Sequence, residues 1–242
     1  MSRYFCHENP GTLTITAEVE ESRPGRVRLT RTPFYPGGGG QLADRGSLRW
    51  NGGEAAVAGF DYSEGHLWHL LAEPVGVSGV VELSVDPVFR QLMRELHTDL
   101  HIINALAFQG FDGALVTGAQ MNDDGTARID LDLPGADNDR LRAMEPAIND
   151  AIRQNLKVTD TYVPLEEAQA EKGLLRSRSV APPPTSDGMV RVIEIAGLDR
   201  QACGGTHLAS TGGSRPVRIL KIENKGRHNR RVRIGLVGTS AG

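Results

Sequence analysis

The sequence lacks the features that mark secreted and membrane-spanning proteins. It has only two cysteines, Cys6 and Cys203, so no disulfide framework beyond a single bridge is possible. No apolar run approaches the length of a transmembrane helix, and the N-terminus MSRYFCHENPG lacks the apolar core of a signal peptide. We therefore expect a protein of the reducing cytoplasm with no membrane partner.

Residues 86–110 are predicted to form one long helix. Asp86 is a suitable N-cap, and Pro87 occupies the first helical position, where its missing N–H costs nothing. Gly110 provides a stop. Apolar residues recur at three- and four-residue steps and predict the buried face: Phe89, Leu92, Leu96, Leu100, Ile103 and Ala107.

Two pairs of metal-ligating residues share the same spacing. His97 and His101 lie one helical turn apart, which brings both imidazoles to the same side of the predicted helix. Cys203 and His207 have that spacing too, and the glycines between them let the backbone turn sharply. Together the four side chains form a suitable ligand set for one zinc ion per chain.

Residues 1–85 are predicted to form a small all-β barrel or sandwich domain. Short strand-like segments are separated by Gly, Asn, Asp and Pro turns: TLTITAEVE, VRLTRT, GSLRW, EAAVAGF, HLWHLLA and GVVELSV. His66 and His69 lie in one of these segments, and we interpret them as structural.

A glycine-rich stretch interrupts this β region: Gly37, Gly38, Gly39 and Gly40 precede Gln41. One interpretation is a flexible loop. The other is that a backbone or a ligand approaches too closely for side chains, with Gln41 as the polar group that the loop presents. The stretch is not a nucleotide P-loop, because no Gly-Lys-Ser/Thr follows it.

Residues 86–242 are predicted to form a second domain of the α+β class. We expect two strands around the Asp-Asp-Gly turn, a helix over residues 140–156, and a strand followed by a short helix in VTDTYVPLEEAQ. An exposed proline-rich loop over residues 176–188 should precede a buried strand that delivers Asp199 and Cys203. VRILKIENKG and NRRVRIGLV should close the chain as a strand pair.

Basic residues crowd the C-terminal segment, although the whole chain carries a formal charge of -3. Glu223 is the single acid among them. The cations are Arg215, Arg218, Lys221, Lys225, Arg227, Arg230, Arg231 and Arg233. In isolation the pattern is typical of a solvated strand face, but its place directly after the metal motif makes it a candidate phosphate-binding strip.

These motifs together resemble the alanyl-tRNA editing family AlaX, the free-standing relatives of the editing domain of alanyl-tRNA synthetase. HTDLH at 97–101 and CGGTH at 203–207 are similar to the paired metal motifs of that family. FYPGGGGQLADRG at 34–46 resembles the Gly-rich motif of its medium-length members. The resemblance extends over residues 30–237, and it departs from the family at Asp99, where alanine is usual. Asp99 lies roughly 200° round the helix from His97, so we expect it to spare the metal.

The resemblance implies an N-terminal β-barrel followed by the α+β editing domain shared with alanyl- and threonyl-tRNA synthetases. It implies hydrolysis of the ester that joins serine or glycine to the acceptor end of alanine tRNA. Thr117 is the candidate contact for the serine hydroxyl, and its other interpretation is ordinary strand packing. Gln41 could reach the site from its loop, and Asp199 could orient a ligand imidazole. The reacting group would be a metal-bound water, and no protein base is assigned. Five cations are assigned to tRNA phosphates: Lys221, Lys225, Arg227, Arg230 and Arg231.

Two other functions fit parts of the pattern. Four protein ligands look like a closed structural zinc site, which favours a non-catalytic RNA-binding module. The third candidate is a zinc hydrolase for a small ester or amide, but such a substrate would not need the basic strip. Chelation separates the first two, since loss of a structural zinc should unfold the domain whereas loss of a catalytic one should remove activity first.

Overall fold

The computed structural model describes residues 3–176 and 184–238. The chain divides into two units, which we call the barrel unit, Arg3–Gly37 with Ala43–Gln91, and the α+β unit, which comprises Gly38–Leu42 and the chain from Leu92 onward. The boundary between the units therefore falls inside the long helix, between Gln91 and Leu92, whereas the predicted boundary between residues 85 and 86 precedes the helix. The assignment of residues 86–242 as an editing domain stays a prediction. Residues 177–183 of the predicted proline-rich loop lie outside the described residues.

The barrel unit contains a closed six-stranded antiparallel barrel with strand order β1-β2-β5-β4-β3-β6. A short helix precedes it, α1 (Phe5–Glu8). The strands are β1 (Thr14–Arg23), β2 (Arg26–Leu29), β3 (Gly46–Trp50), β4 (Gly53–Ser63), β5 (His66–Leu71) and β6 (Val80–Val85). Alternating apolar residues close the core, with Val27, Leu48, Val81 and Leu83 fully buried. The predicted barrel is confirmed.

A buried ion pair holds the loop between β2 and β3. The Arg90 guanidinium binds both carboxylate oxygens of Asp44 and donates to the carbonyl of Pro33 at 2.8 Å. Asp44 also accepts the backbone N–H of Tyr35 at 2.5 Å. Removing one partner of such a pair costs roughly 3–5 kcal/mol, because the other charge stays buried.

The long helix α2 (Pro87–Gly110) begins at Pro87 and ends at Gly110, as predicted. The Asp86 carboxylate caps it by accepting the backbone N–H groups of Val88 and Phe89 at 2.9 and 3.1 Å. The predicted apolar stripe is too narrow, however, because residues 95–105 are all buried, on every face of the helix. A helix enclosed in this way can carry buried polar side chains only where each finds a partner.

The described part of the α+β unit holds two antiparallel sheets, three further α-helices and one 3-10 turn (Thr211–Gly213). The sheets have the strand orders β11-β10-β9 and β12-β13-β8-β7. Their strands are β7 (Leu115–Met121), β8 (Thr126–Asp132), β9 (Val158–Pro164), β10 (Met189–Ile195), β11 (Asp199–Ala202), β12 (Val217–Lys225) and β13 (Asn229–Leu236). The helices are α3 (Asn138–Arg142), α4 (Glu145–Arg153) and α5 (Leu165–Ala170). The α+β class, the hairpin around the Asp-Asp-Gly turn and the closing strand pair are confirmed.

The helix predicted over residues 140–156 is instead two helices, α3 and α4. Pro146 stands in the first turn of α4, where its missing N–H is harmless. The same proline could not continue a helix that began at residue 138, because its ring would clash with the preceding turn. None of the described helices is long and apolar enough to cross a membrane.

Candidate metal centre

Helix α2 supplies the first two potential metal ligands. His97 and His101 lie one turn apart, both are 6% exposed, and their ring centroids are 5.3 Å from each other. The His207 ring approaches them, with centroid distances of 4.4 Å to His97 and 4.5 Å to His101. Three imidazoles therefore meet in one buried pocket.

The loop after β11 supplies the other two, Cys203 and His207. Arg191 on β10 anchors this loop: it donates to the carbonyls of Gly205 at 2.8 Å and Cys203 at 3.3 Å. Its Nε donates to Asp160 on β9 at 2.9 Å, which fixes the guanidinium. The loop also needs a glycine at 205, because a Cβ there would overlap the His97 ring.

The four donor atoms lie close enough for one ion. A ligand atom from each of His97, His101, Cys203 and His207 lies within 4.8 Å of the others. The Cys203 Sγ lies 3.3 Å from the Nε2 atoms of both His97 and His207. The buried group of three imidazoles and one thiol could therefore hold one metal ion.

Each imidazole is oriented by a partner at its Nδ1. The Gln41 Oε1 accepts from His97 Nδ1 at 2.8 Å, and the Thr98 hydroxyl lies 3.2 Å from His207 Nδ1. His101 Nδ1 lies 2.8 Å from Gln201 Nε2 and 3.3 Å from an Asp199 carboxylate oxygen. With Nδ1 engaged in all three rings, Nε2 is the atom left to bind the ion.

The electrostatics of the group favour a thiolate. Burial raises the pKa of Cys203, but the three surrounding imidazoles outweigh it and hold that pKa well below its ordinary value. At His101 burial acts against protonation, yet Cys203 and Asp199 raise its pKa to about 9. Burial and the neighbouring His97 hold the pKa of His207 well below its ordinary value. A thiolate is the form in which cysteine binds a metal.

The Gly-rich loop brings Gln41 to this group. Gly37, Gly38, Gly39 and Gly40 all have positive φ, between 61° and 124°, which side-chain-bearing residues rarely adopt. Gly40 also lies so close to the carbonyl of Ala119 that a Cβ would collide with it. Gln41 then reaches inward, where its Oε1 also accepts the backbone N–H of Thr206 at 2.9 Å and its Nε2 donates to the Thr206 hydroxyl at 2.8 Å.

Asp199 lies beside the His101 ring and is held there by two donors. Arg176 donates to its Oδ1 at 2.7 Å, and Gln201 donates to its Oδ2 at the same distance. The Arg176 guanidinium also stacks 4.1 Å above the Phe108 ring. Asn104 donates to Gln201 at 2.7 Å, so a buried polar chain extends from α2 to the His101 ring.

Thr117 lies on β7, and Asp99 lies on α2 between His97 and His101 in the sequence. The Thr117 hydroxyl lies 3.3 Å from both the Asp130 carbonyl and the Asn229 side chain. Asp99 is fully buried and accepts a hydrogen bond from the Ser214 hydroxyl at 2.9 Å. Burial raises the pKa of Asp99 well above its ordinary value.

The predicted basic strip contains both exposed and buried residues. Lys221, Lys225 and Arg227 are exposed. Arg231 binds Asp130 through two hydrogen bonds of 2.7 and 2.8 Å. Arg230 is only 8% exposed, and it donates to the carbonyl of Ala136 at 3.3 Å.

Several residues that shape the group were not predicted from the sequence. Thr98 and Thr206 each adjoin a ligand in the sequence, and Gln201 stands two residues before Cys203. Proximity to a ligand was the available signal for these three. Arg191, twelve residues before Cys203, had no such signal, because antiparallel pairing between β10 and β11 brings it to the loop.

Comparison with known proteins identifies relatives along nearly the whole chain. Residues 190–233 match the family described as "Threonyl and Alanyl tRNA synthetase second additional domain". The alanyl-tRNA editing protein AlaX-M of Methanosarcina mazei is 32% identical over 238 residues, which cover 93% of each chain. AlaX-M of Methanosarcina barkeri is 34% identical over 220 residues, 87% of this chain and 88% of the relative.

A second kind of relative is much longer. The alanine–tRNA ligase of Korarchaeum cryptofilum is 32% identical over 223 residues, which cover 91% of this chain but 24% of the ligase. This chain therefore spans about a quarter of the length of that relative. Because the match to the editing proteins, unlike that to the ligase, extends over nearly all of both chains, this chain belongs to the AlaX-M family of alanyl-tRNA editing proteins.

Proposed function

We propose that this chain is a zinc-dependent hydrolase that removes serine, and also glycine, from mischarged alanine tRNA. The observation that carries the proposal is the buried group of His97, His101, Cys203 and His207, in a chain that belongs to the AlaX-M family. The names of the relatives support an editing function. A reducing cytoplasm is the natural compartment, since Cys203 must stay reduced to act as a ligand.

The task itself explains why a separate hydrolase is useful. The pocket that attaches alanine to its tRNA rejects the smaller glycine poorly. It also rejects an analogue that adds a hydroxyl, such as serine, only modestly, since discrimination against an added hydroxyl is about 10²-fold in a comparable case. Greater accuracy requires a second site that hydrolyses the wrong product. The overall reaction breaks the bond between the carbonyl carbon of the amino acid and a ribose oxygen, and it adds the oxygen of a water molecule to that carbon.

The donor set suits zinc, which takes imidazole nitrogen and thiolate sulfur in tetrahedral sites. When bound, zinc supplies a Lewis acid for the ester carbonyl and lowers the pKa of water to near 7. The residues around it do the positioning. Gln41 fixes the His97 ring, Thr98 that of His207, and Asp199 that of His101.

Substrate contacts follow from these positions. Because the amide of Gln41 is occupied by Thr206 and His97, we infer that Gln41 acts on the reaction through His97, and Asp199 in the same way through His101. Thr117 remains the proposed contact for the serine hydroxyl, since its hydrogen bonds to the Asp130 carbonyl and the Asn229 side chain are long, at 3.3 Å, and the serine hydroxyl could replace one of these partners. Thr117→Val should therefore slow the release of serine and leave the release of glycine unchanged.

One observation favours the rival function, an RNA-binding module with a structural metal. All four positions of a tetrahedral ion can be filled by protein atoms, and catalytic zinc usually keeps one position open. The proposed function would therefore require that His97, His101, Cys203 and His207, while holding the ion, leave room for water or the ester to reach it.

The experiment is a deacylation assay on alanine tRNA charged with serine, glycine or alanine. We expect the zinc-loaded protein to release serine and glycine and to spare alanine, and we expect chelated protein to release none. Cys203→Ser should behave as chelated protein does. Cys6→Ser is the matched control, because Cys6 lies in the barrel unit and should not affect the activity. Binding of the tRNA without release of any amino acid would instead establish the rival.

A further inference from the structure

The outer face of the four-stranded sheet carries a concentration of charge. Strand pairing aligns Asp130 on β8, Arg231 on β13 and Glu223 on β12, so their side chains share one face. The opposite face carries the buried apolar residues of the same strands, among them Ile129, Leu131, Val232 and Ile234. We call the charged side the outer face.

One row of side chains across this face is almost entirely cationic. Pairing aligns Gln120, Arg128, Arg233 and Lys221, one residue from each of the four strands. A bulge between Ile219 and Lys221 shifts the register of β12, and this shift turns Lys221 toward the outer face. With strands about 4.8 Å apart, the row extends over about 14 Å.

The cations of the outer face outnumber its acids. Each acid at its centre is shared between cations: Arg128 and Arg231 bind Asp130, and Arg233, Lys221 and Lys225 lie within 4.0 Å of Glu223. Asp132, aligned with Asn229, is the third acid, and Arg218, aligned with Gly235, is a further cation. Among the described residues of this face, six cations therefore stand against three carboxylates, in a chain whose formal charge is -3. Lys221 is 65% exposed and Arg233 41%, so phosphate can reach the β12 side of the row. Water screens exposed ion pairs such as that of Lys221 with Glu223, and phosphate can therefore compete for these cations.

The row begins beside the loop that carries Gln41. β7 forms one edge of the sheet, and the backbone N–H of its last residue, Met121, donates to the Gly40 carbonyl at 2.8 Å. The next residue of that loop is Gln41, which contacts His97. Gln120 therefore adjoins the segment that reaches the metal ligands, and the cationic row extends from there toward β12.

We propose that the outer face of this sheet holds the acceptor arm of the tRNA, with Arg128, Arg233 and Lys221 contacting its phosphates. The inference rests on the proposed function, and it specifies a surface for that function. An RNA whose 3′ end reaches the metal centre needs its next phosphates neutralised close by, and the row provides cations in that position. Arg230 lies on the opposite, buried face and is not part of the surface.

The test compares two triple variants that remove the same charge. The first is Arg128→Gln, Lys221→Gln and Arg233→Gln together. The control is Arg142→Gln, Arg153→Gln and Lys172→Gln, three exposed cations of the α+β unit that lie outside the outer face. Binding of uncharged alanine tRNA is measured from about 50 to 200 mM salt, since each lost phosphate contact lowers the salt slope by about 0.7–0.9.

We expect the outer-face variant to bind tRNA roughly tenfold to a hundredfold more weakly at low salt, with a salt slope reduced by about 2. Its kcat at saturating Ser-tRNA should match wild type while its KM rises, and the control variant should change neither. A purely structural role for these ion pairs would lower the melting temperature without moving the salt slope. Equal slopes in the two variants, with normal deacylation by wild type, would overturn this inference alone; a wild type that released no amino acid would overturn the proposed function.

Discussion

Gly205 shows how strongly a single residue can constrain the metal centre. Its Cα faces the His97 ring so closely that a Cβ would overlap the imidazole and approach the Gln41 amide oxygen. Because the hydrogen bond from His97 to Gln41 orients the imidazole, the added methyl group would displace both side chains at once.

We predict that Gly205→Ala lowers the affinity for zinc by about tenfold to a hundredfold. Changes to the groups that orient a metal ligand usually have an effect of this size. Gly110→Ala is the matched control, because nothing lies within 4 Å of a Cβ there. Competition with a coloured chelator measures both affinities. Equal zinc affinity in the two variants would show that the loop relaxes around the methyl group.

His69 is the residue through which acid should act on the barrel unit. It is 1% exposed, its ring packs against Phe34 and Phe60, and its Nε2 lies 2.7 Å from the Thr32 hydroxyl. Burial lowers the pKa of His69 from 6.5 to about 4. In the unfolded chain the imidazole therefore takes up a proton at a higher pH than in the folded protein.

The stabilisation associated with this shift is fully present above pH 6.5 and is lost as the pH falls to about 4, because the unfolded state binds more protons in that window. A shift of this size corresponds to about 3 kcal/mol. Tryptophan fluorescence can follow the transition, since Trp50 and Trp68 both lie in the barrel unit. We expect His69→Gln to flatten the dependence of the unfolding free energy on pH, whereas His66→Gln, an exposed change on the same strand, should retain it.

At the scale of elements, the β10 strand and the loop after β11 act together through Arg191. Its guanidinium satisfies two loop carbonyls and is itself fixed by Asp160. Without it the carbonyls of Cys203 and Gly205 would lose their donor, and the loop could sample positions in which Cys203 no longer lies between the imidazoles.

We predict that Arg191→Met speeds the dissociation of metal by roughly tenfold to a hundredfold. The d–d spectrum of the cobalt-substituted protein should also broaden or shift, a change that general destabilisation would not produce. Arg200→Met removes an arginine from the adjacent strand, where it pairs with Glu171 away from the loop, and should alter neither property. An unchanged spectrum and rate in Arg191→Met would remove the anchoring role.

The elements differ in how far the sequence predicts them. Periodicity identifies the barrel strands and α2, and the matched spacing of the His and Cys-His pairs identifies the four side chains that meet in the buried group, because each signal is local. The partners of the ligand imidazoles depend on contacts between distant segments, as with Gln41 and His97, 56 residues apart. Local signals cannot specify such contacts.

The alternation of side chains along a strand separates cations that composition alone groups together. Val232 and Ile234 are buried, so alternation along β13 places Arg230 on their side and Arg231 with Arg233 on the other. Treating all cations of the segment as one strip mixes the two faces. The bulge that turns Lys221 outward, by contrast, is visible only in the strand register.

At the scale of the whole molecule, an ion held by the four side chains of the buried group would cross-link remote parts of the chain. His97 and Cys203 are 106 residues apart, and the ion would join α2 to the loop after β11. Closing so long a loop restricts the unfolded chain strongly, and the bound ion also offsets the burial of three imidazoles and a thiolate. Both effects would stabilise the folded state only while the group holds an ion.

We therefore predict that chelation lowers the melting temperature and speeds hydrogen exchange in α2 and around residues 203–207. Cys203→Ser tests the cause, because a protein that has already lost the site should not respond to chelator. The order of events then distinguishes the functions: if deacylation disappears at chelator concentrations that leave the circular dichroism native, the metal takes part in the reaction. If activity and fold are lost together, its role is structural, and identical melting with and without chelator would mean that the four side chains hold the fold without an ion.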